Sequence, residues 1–422
     1  MLSLTIKMGV KMEKFVDRFQ MRSLLEAIDT RRVLLLNGPR QCGKTTLAQH
    51  IQRKNITYRT LDDIALLKSA NIDPHGFIKI SKGMMIIDEI QRAPFLLQAI
   101  KKAVDENTRN GQYLLTGSAN INALPSVQES LAGRIQKIRL RTLAQAELEG
   151  SPPTFLPRAF SQEFNNNCFG EDKEQILKHC FRGGFPETIS LKDTQRRRWH
   201  EDYVNAILER DLREISNVYR IEAMKDLIKI VCSWSSKFID ISAIGAHLSI
   251  KRSTLESYLN SLEILYLIER LPPWTKTDYQ RVGRQSKLFV TDCGLICSLL
   301  RWNFEEVFLD SDRSGKIIET FIYNELAAQI DATDAEYAIY HYRDRENREI
   351  DFLIERSDGA FIGLEVKAGS NVGLNDFKHL MWFQNNIAKD KSFIGIVLYT
   401  GENVIPFGNK LWAIPCSHLW KM

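Results

Sequence analysis

The sequence has no apolar run long enough to cross a bilayer, so no helical membrane span is expected. Its seven cysteines, Cys42, Cys168, Cys180, Cys232, Cys293, Cys297 and Cys416, form no paired C-x-x-C framework. Cys293 and Cys297 stand four apart with no second pair nearby, which argues against a zinc site. Scattered thiols of this kind suit a reducing compartment, and a cytoplasmic protein is expected. Met1 to Val10 has one lysine and a short apolar stretch but no small-residue cleavage site, a poor match to a signal peptide. Met12 is an alternative start. A large charge imbalance is missing too: 57 basic against 52 acidic residues leave +5, compatible with a nucleic-acid partner without demanding one. What remains is 422 residues, 44% apolar and 26% charged, enough for two to four globular domains.

The chain is organised around Gly38-Pro39-Arg40-Gln41-Cys42-Gly43-Lys44-Thr45, which follows the apolar run Val33-Leu34-Leu35-Leu36 and precedes a helical segment. This is G-x-x-x-x-G-K-[ST] in strand–loop–helix context. Gly38 and Gly43 permit a tight turn that brings N–H groups to phosphate oxygens, and the helix start adds its positive end. Lys44 can reach the β- and γ-phosphates, and Thr45 offers a hydroxyl to Mg²⁺. Gly38, Pro39, Arg40, Gln41, Cys42, Gly43, Lys44, Thr45 and Thr46 are therefore expected to hold ATP.

Further along, Met84-Met85-Ile86-Ile87 runs into Asp88-Glu89, a Walker B arrangement. An acid at the tip of a buried strand can hold Mg²⁺ through water, and the adjacent glutamate can deprotonate the attacking water. Another strand, Gln112 to Leu115, ends at Thr116-Gly117-Ser118, and a last one is expected over Ile135 to Leu140. Strands alternating with helices, with functional groups at the strand ends, predict a parallel sheet with its ligand at the carboxyl edge.

The runs GPRQCGKTTL, IIDEIQRAP, LLTGSAN and LAGR, in that order, resemble a prokaryotic AAA-superfamily ATPase family whose C-terminal region has no agreed function. The resemblance implies an ASCE-type sheet over residues 1–150 with Glu89 as catalytic glutamate. It implies Ser118 as a polar sensor beside the γ-phosphate, or else a serine that only forms the turn. Arg134 is a candidate arginine finger toward a neighbouring subunit in a homo-oligomer, or else a solvated arginine before a strand. It also implies a helical lid within 151–216, where Gly184 and Pro186 either shape the base pocket or only turn the chain. The span 151–172, with Pro152-Pro153, Pro157 and Asn165 to Asn167, reads as a linker. Trp199 to Ile215 reads as one long charged helix closing the lid.

Residues 217–300 read as a winged helix: a helix capped by Ser242, a turn, a second helix over Ser253 to Leu262, and a hairpin of Leu267–Arg270 with Lys287–Val290. Leu255, Leu259 and Leu262 form the second helix's buried face. Lys251, Arg252, Ser253 and Thr254 stand at its exposed start, where DNA phosphates could be met. The equal alternative is a lid or protein-docking role.

Residues 301–422 place Glu319 on a helix, Asp351 near the start of a strand, and Glu365 and Lys367 two apart on the next strand, sharing a face. The arrangement resembles the restriction-endonuclease-like α/β fold, although Ile350 stands where some families place proline. It implies Mg²⁺ on Asp351, Glu365 and Glu319, a further oxygen from the Val366 carbonyl, Lys367 as electrostatic stabiliser, and Gln384 lining the site. Either the C-terminal unit cleaves DNA with Mg²⁺, or it binds DNA or protein without cutting, or the ATPase is an oligomerising regulator in defence or signalling.

Overall fold

The computed structural model describes residues 15–79, 82–118, 133–164, 170–211, 221–276, 285–333, 336–389 and 391–421. Asn165 to Asn167, Leu131 and Ala132 of the LAGR run, and the 212–215 end of the expected lid helix lie outside them.

The first sheet is fully parallel. Its strands are β1 (Val33–Asn37), β2 (Ile56–Thr60), β3 (Met84–Asp88), β4 (Tyr113–Gly117) and β5 (Ile135–Arg139), in the order β2-β3-β4-β1-β5. β1, β3 and β4 are buried along their whole length, which is why they are continuous apolar runs rather than alternating ones. β4 lies between the P-loop strand and the Asp88 strand, so the loops after β1, β3 and β4 meet at one edge. Leu24 and Ile28 of the Gln20–Thr30 helix cover one face, and Leu96, Leu97 and Ile100 of the Leu96–Glu106 helix cover the other. This is the P-loop NTPase arrangement that the sequence predicts.

Beyond Arg139 the chain builds a second body. The expected linker is partly helical, at Phe155–Ser161, because Phe155, Leu156 and Ala159 bury on one side. The expected helix from Trp199 instead begins at Asp193, runs to Ala206 and widens into a π-turn over Ile207–Asp211. Next come helices Ile241–Leu248 and Arg252–Ile264 and a small sheet of β6 (Lys237–Phe238), β7 (Ile268–Leu271) and β8 (Lys287–Val290), ordered β6-β8-β7. The first of these helices is capped by Asp240, whose carboxylate accepts from the Ala243 N–H at 2.9 Å, and not by Ser242. Leu255, Leu259 and Leu262 are fully buried, as their spacing predicts.

The C-terminal part opens with the helix Ser311–Asp331, followed by β9 (Tyr337–Arg343), β10 (Glu349–Arg356) and β11 (Phe361–Lys367). The helix Lys378–Asn386, then β12 (Phe393–Tyr399), β13 (Ile405–Gly408) and β14 (Leu411–Pro415), complete it. The sheet order is β13-β14-β12-β11-β10-β9, with β11–β12 and β12–β14 parallel and the remaining pairs antiparallel. One apolar cluster runs from Phe155 through the lid helices, the hairpin and the Ser311–Asp331 helix to Trp420. Lid, hairpin and C-terminal sheet therefore share a core.

His200 sits inside that core, fully buried among Phe185 and Trp199, with Nδ1 at 2.8 Å from the Ser298 hydroxyl. Burial first, and then the nearby Arg196 charge, push its pKa from 6.5 down to about 3. Asp292, 4.0 Å away, spends its oxygens on the Gly184 and Leu295 N–H groups and does not reverse this. The unfolded chain thus binds a proton between those two values that the folded chain refuses, so this contribution to stability is present above 6.5 and is lost as pH falls toward 3. Urea midpoints at pH 7 and pH 5 should show it. His200→Phe is expected to flatten the acid limb by up to about 1.4 kcal/mol per pH unit, and an unchanged slope would refute the assignment.

Candidate functional site

The loop after β1 turns where only glycine fits. A Cβ on Gly38 would lie 2.1 Å from the Leu140 carbonyl oxygen, and Gly43, at φ +100°, is left-handed immediately before the helix Lys44–Gln49. Lys44 is buried and folds back on the loop, donating to the carbonyls of Gly38 at 3.1 Å and Pro39 at 2.5 Å. Those carbonyls hold the ammonium where a phosphate would draw it outward.

At the tip of β3, Asp88 accepts from three hydroxyls: Thr45 at 3.0 Å, Tyr58 at 2.9 Å, and Thr116. Burial and the bond to Asp88 raise the Tyr58 phenol to about 12, so it remains a donor. Glu89, next in the chain, is left-handed at φ 59°, unusual for a residue with a side chain. Its N–H is fixed by the Thr116 hydroxyl at 3.2 Å, and its carboxylate accepts from the Gln91 amide, which is also 3.0 Å from the Ser118 hydroxyl. Glu89, Gln91 and Ser118 are thereby joined across the ends of β3 and β4. Gln91 is absent from the sequence-derived set. It points back to Glu89 only because a 3₁₀ turn over Ile90–Arg92 reverses the chain.

Lys44, Thr45 and Glu89 border a cleft of about 810 Å³ between the P-loop and the Asp193–Ala206 helix, lined also by Arg40, Pro186 and Arg210 among others. The lid wall is stiffened by Trp199 stacked on Tyr203, rings 5.1 Å apart, with the Tyr203 hydroxyl 3.3 Å from the Arg40 carbonyl. Arg210, a second residue that sequence reasoning misses, adds a cation to the lining that holds Lys44. Beside Gly43 and Thr46 lies a smaller pocket of about 340 Å³ with apolar walls from Phe15, Val16, Leu143, Leu148, Pro186 and Ile189. Pro186 borders both cavities. Gly184 lines neither and serves the turn, its carbonyl accepting from Leu143 and its N–H donating to Asp292.

Arg134 stands at the opposite end of the sheet, just before β5, paired with Asp105 at 2.5 Å. It does not reach this chain's own cleft. Arg18 ties the cleft to its surroundings, donating to the Cys42 carbonyl of the P-loop at 2.8 Å and the Arg141 carbonyl at 2.7 Å, and pairing with Glu147 at 3.1 Å.

In the C-terminal sheet, Glu319 and Asp351 do come together, but around a lysine. Lys287, from β8, places its ammonium 2.6 Å from Glu319, 3.0 Å from Asp351 and 3.1 Å from Glu349. Asp351 also accepts the Val366 N–H at 3.0 Å. Glu365 and Lys367 share a face, 3.9 Å apart, and Lys367 is equally near Asp376. Gln384 donates to the Asn409 carbonyl between β13 and β14, not to any of these carboxylates. Among the described residues no group of three His, Cys, Asp or Glu side chains is arranged to hold a metal.

Residues 30–149 match the family model described as AAA domain. Residues 173–306 and 314–419 match two models described as domains of unknown function, DUF8612 and DUF4143. The chain is 24% identical over 399 residues to the uncharacterized protein Rv2008c of Mycobacterium tuberculosis (strain ATCC 25618 / H37Rv), covering 94% of this chain and 82% of that one. The uncharacterized protein Mb2031c of Mycobacterium bovis matches to the same extent. Among solved structures, the Thermotoga maritima RuvB Holliday junction branch migration motor aligns at 20% identity and TM-score 0.28, covering 61% of this chain and 91% of that one. A DNA polymerase III gamma subunit-related protein from Thermotoga maritima aligns at 14% and TM-score 0.24, covering 58% and 97%. Those scores are too low to add to the argument. The family match and the sheet together make residues 30–149 an AAA-type P-loop ATPase domain.

Proposed function

We propose that this chain is an ATP-hydrolysing switch, and that nucleotide state is passed from the AAA-type domain to the helix–hairpin unit and the C-terminal sheet. The observation that carries the reading is the meeting of Lys44, Thr45 and Glu89 on one cleft, with Asp88 bonded to Thr45 behind it and Ser118 joined to Glu89 through Gln91. The oxygen set of Thr45 and Asp88 suits Mg²⁺, which takes one or two protein oxygens and completes its shell with phosphate and water. Mg²⁺ supplies charge neutralisation of the β- and γ-phosphates. Lys44 and the loop N–H groups of residues 38–46 grip the same phosphates, Glu89 takes the proton of the attacking water, and Ser118 orients that water. Arg210 stabilises charge from the lid side, and the apolar pocket beside Gly43 accepts the base. Arg134, facing away from this cleft, would act only toward a neighbouring copy.

Two helices, each with a buried face, and a hairpin support the winged-helix reading, with Lys251 and Arg252 exposed at the start of the second helix as phosphate contacts. DNA is the partner this favours. The helix–three strands–helix–strand order of residues 311–399 supports the restriction-endonuclease-like reading of the C-terminal unit. Lys287 among its carboxylates favours the form of that reading in which the unit binds without cutting.

Lys44→Ala tests the core of the proposal. Full-length protein should lose measurable ATP binding in equilibrium titration together with turnover, while its far-ultraviolet dichroism stays unchanged. Binding and turnover equal to the unaltered chain would refute it.

A further inference from the structure

Four carboxylates, Glu319, Glu349, Asp351 and Glu365, gather at the C-terminal sheet where β8 packs against it. Glu319 and Glu365 are largely withdrawn from solvent, their side chains 15% and 12% exposed. Among the described residues, the ammonium at hydrogen-bonding distance is that of Lys287, itself 3% exposed, and it does not come from the C-terminal unit. It is carried on β8, whose hairpin register sets Lys287 opposite Leu271. Among the described residues Glu365 Oε1 is fully buried with no hydrogen-bond partner, and the Glu365–Lys367 separation of 3.9 Å is too long to supply one. With Lys287 and Lys367 counted, four carboxyl groups face two ammoniums.

A divalent ion would demand a different geometry. Mg²⁺ draws carboxylate oxygens to about 2.0–2.1 Å, whereas the ammonium keeps Glu319, Asp351 and Glu349 at 2.6 to 3.1 Å. Lys287 sits at the centre of the shell that the metal would have to contract. The carboxylates as they stand therefore do not fit a metal.

We infer that Lys287 takes the metal's place: the intact chain takes no divalent cation at this cluster, and removal of that one ammonium turns the cluster into a divalent-cation site. The carboxylates that the sequence pattern assigns to catalysis serve instead to fasten the β7–β8 hairpin to the C-terminal sheet. The inference rests on the non-cutting reading of the C-terminal unit and is independent of ATP turnover.

The test is Mn²⁺ binding to full-length, nucleotide-free protein, with free Mn²⁺ read by electron paramagnetic resonance. Wild type should show no Mn²⁺ uptake that Asp351→Asn removes. Lys287→Met should gain one equivalent, bound at least about tenfold more tightly than any Mn²⁺ on wild type, and should lose it again in Lys287→Met/Asp351→Asn. Because Lys287→Met alone strands buried negative charge, Lys287→Met/Glu349→Gln is measured alongside it, restoring the balance. Mn²⁺ should raise the melting temperature of both variants and leave that of wild type unmoved. Asp351-dependent Mn²⁺ on wild type overturns the inference, and so does the absence of any gain in the folded double variant. Steady-state ATP turnover, measured separately, reports on the ATPase reading and is expected to survive Lys287→Met.

Discussion

Replacing Glu89 by glutamine is expected to leave ATP bound and to slow its hydrolysis by about 10² to 10⁴-fold, the usual worth of a positioned general base. The substitution keeps the side chain's shape, and glutamine's amide oxygen can still accept from Gln91, so the ends of β3 and β4 stay joined. What it removes is the carboxylate that follows Asp88 directly and lines the cleft beside Lys44 and Thr45, whereas Asp88 itself is engaged by the hydroxyls of Thr45, Tyr58 and Thr116. Uniform loss of binding and turnover would look like Lys44→Ala, and loss of turnover alone separates the two roles. Single-turnover hydrolysis together with equilibrium nucleotide binding makes the comparison. A Glu89→Gln protein turning over within about threefold of wild type would show that another group activates the water.

The ATPase half of this picture is legible in the sequence because its chemistry is local. The P-loop is contiguous, and the parallel strands are buried on both faces, so they stand out as apolar runs ending in functional residues. Asp88 and Glu89 follow directly from that pattern. Gln91 does not, since its return to Glu89 depends on a 3₁₀ turn that the run IIDEIQR does not announce. Arg210 comes from a lid element and is brought to the cleft by tertiary packing. The cap of the Ile241–Leu248 helix illustrates a smaller ambiguity: Asp240 and Ser242 both suit an N-cap, and only the first helical residue decides between them. Lys287 is the largest omission. It lies in a strand of plain composition, 64 residues from Asp351, and nothing short of the packed hairpin reveals its partners. The pattern of Glu319, Asp351, Glu365 and Lys367 is present in the sequence as expected, but its meaning depends on a cation that the pattern does not contain.

Arg141→Met is expected to destabilise the protein by about 3 kcal/mol and to sever the ATPase domain from the hairpin. Arg141 follows β5, and its side chain reaches Glu269 on β7 at 2.7 Å and Asp331 at the end of the Ser311–Asp331 helix at 2.6 Å. Glu269 also accepts from Arg139 and, at 2.6 Å, from the Tyr323 hydroxyl. Burial alone would raise the Glu269 carboxyl, and the guanidiniums of Arg139 and Arg141 overcome it and hold it at about 2. Its stabilising charge is therefore present above the ordinary carboxylate range and is lost as pH falls toward 2. Removing Arg141 leaves Asp331 without this partner and Glu269 with the more exposed Arg139 and the Tyr323 hydroxyl, which keeps the cost toward the lower end for a broken buried pair. Adding Glu269→Gln should cost less in that background than in wild type, because the two groups act on one another. The same residue lies on a continuous path. Arg18 bridges the Cys42 carbonyl of the P-loop to the Arg141 carbonyl, Arg141 grips Glu269, and Glu269 pairs in register with Phe289, two residues beyond Lys287 on β8. On the proposed switch reading, a nucleotide that moves the P-loop is expected to act on the hairpin through these two guanidiniums. Hydrogen exchange with and without ATP should show altered protection in β7 and β8 of wild type and none there in Arg141→Met, with the response confined to the AAA-type domain. Equal responses in both proteins would mean that the shared apolar core, and not this ion-pair chain, carries the signal.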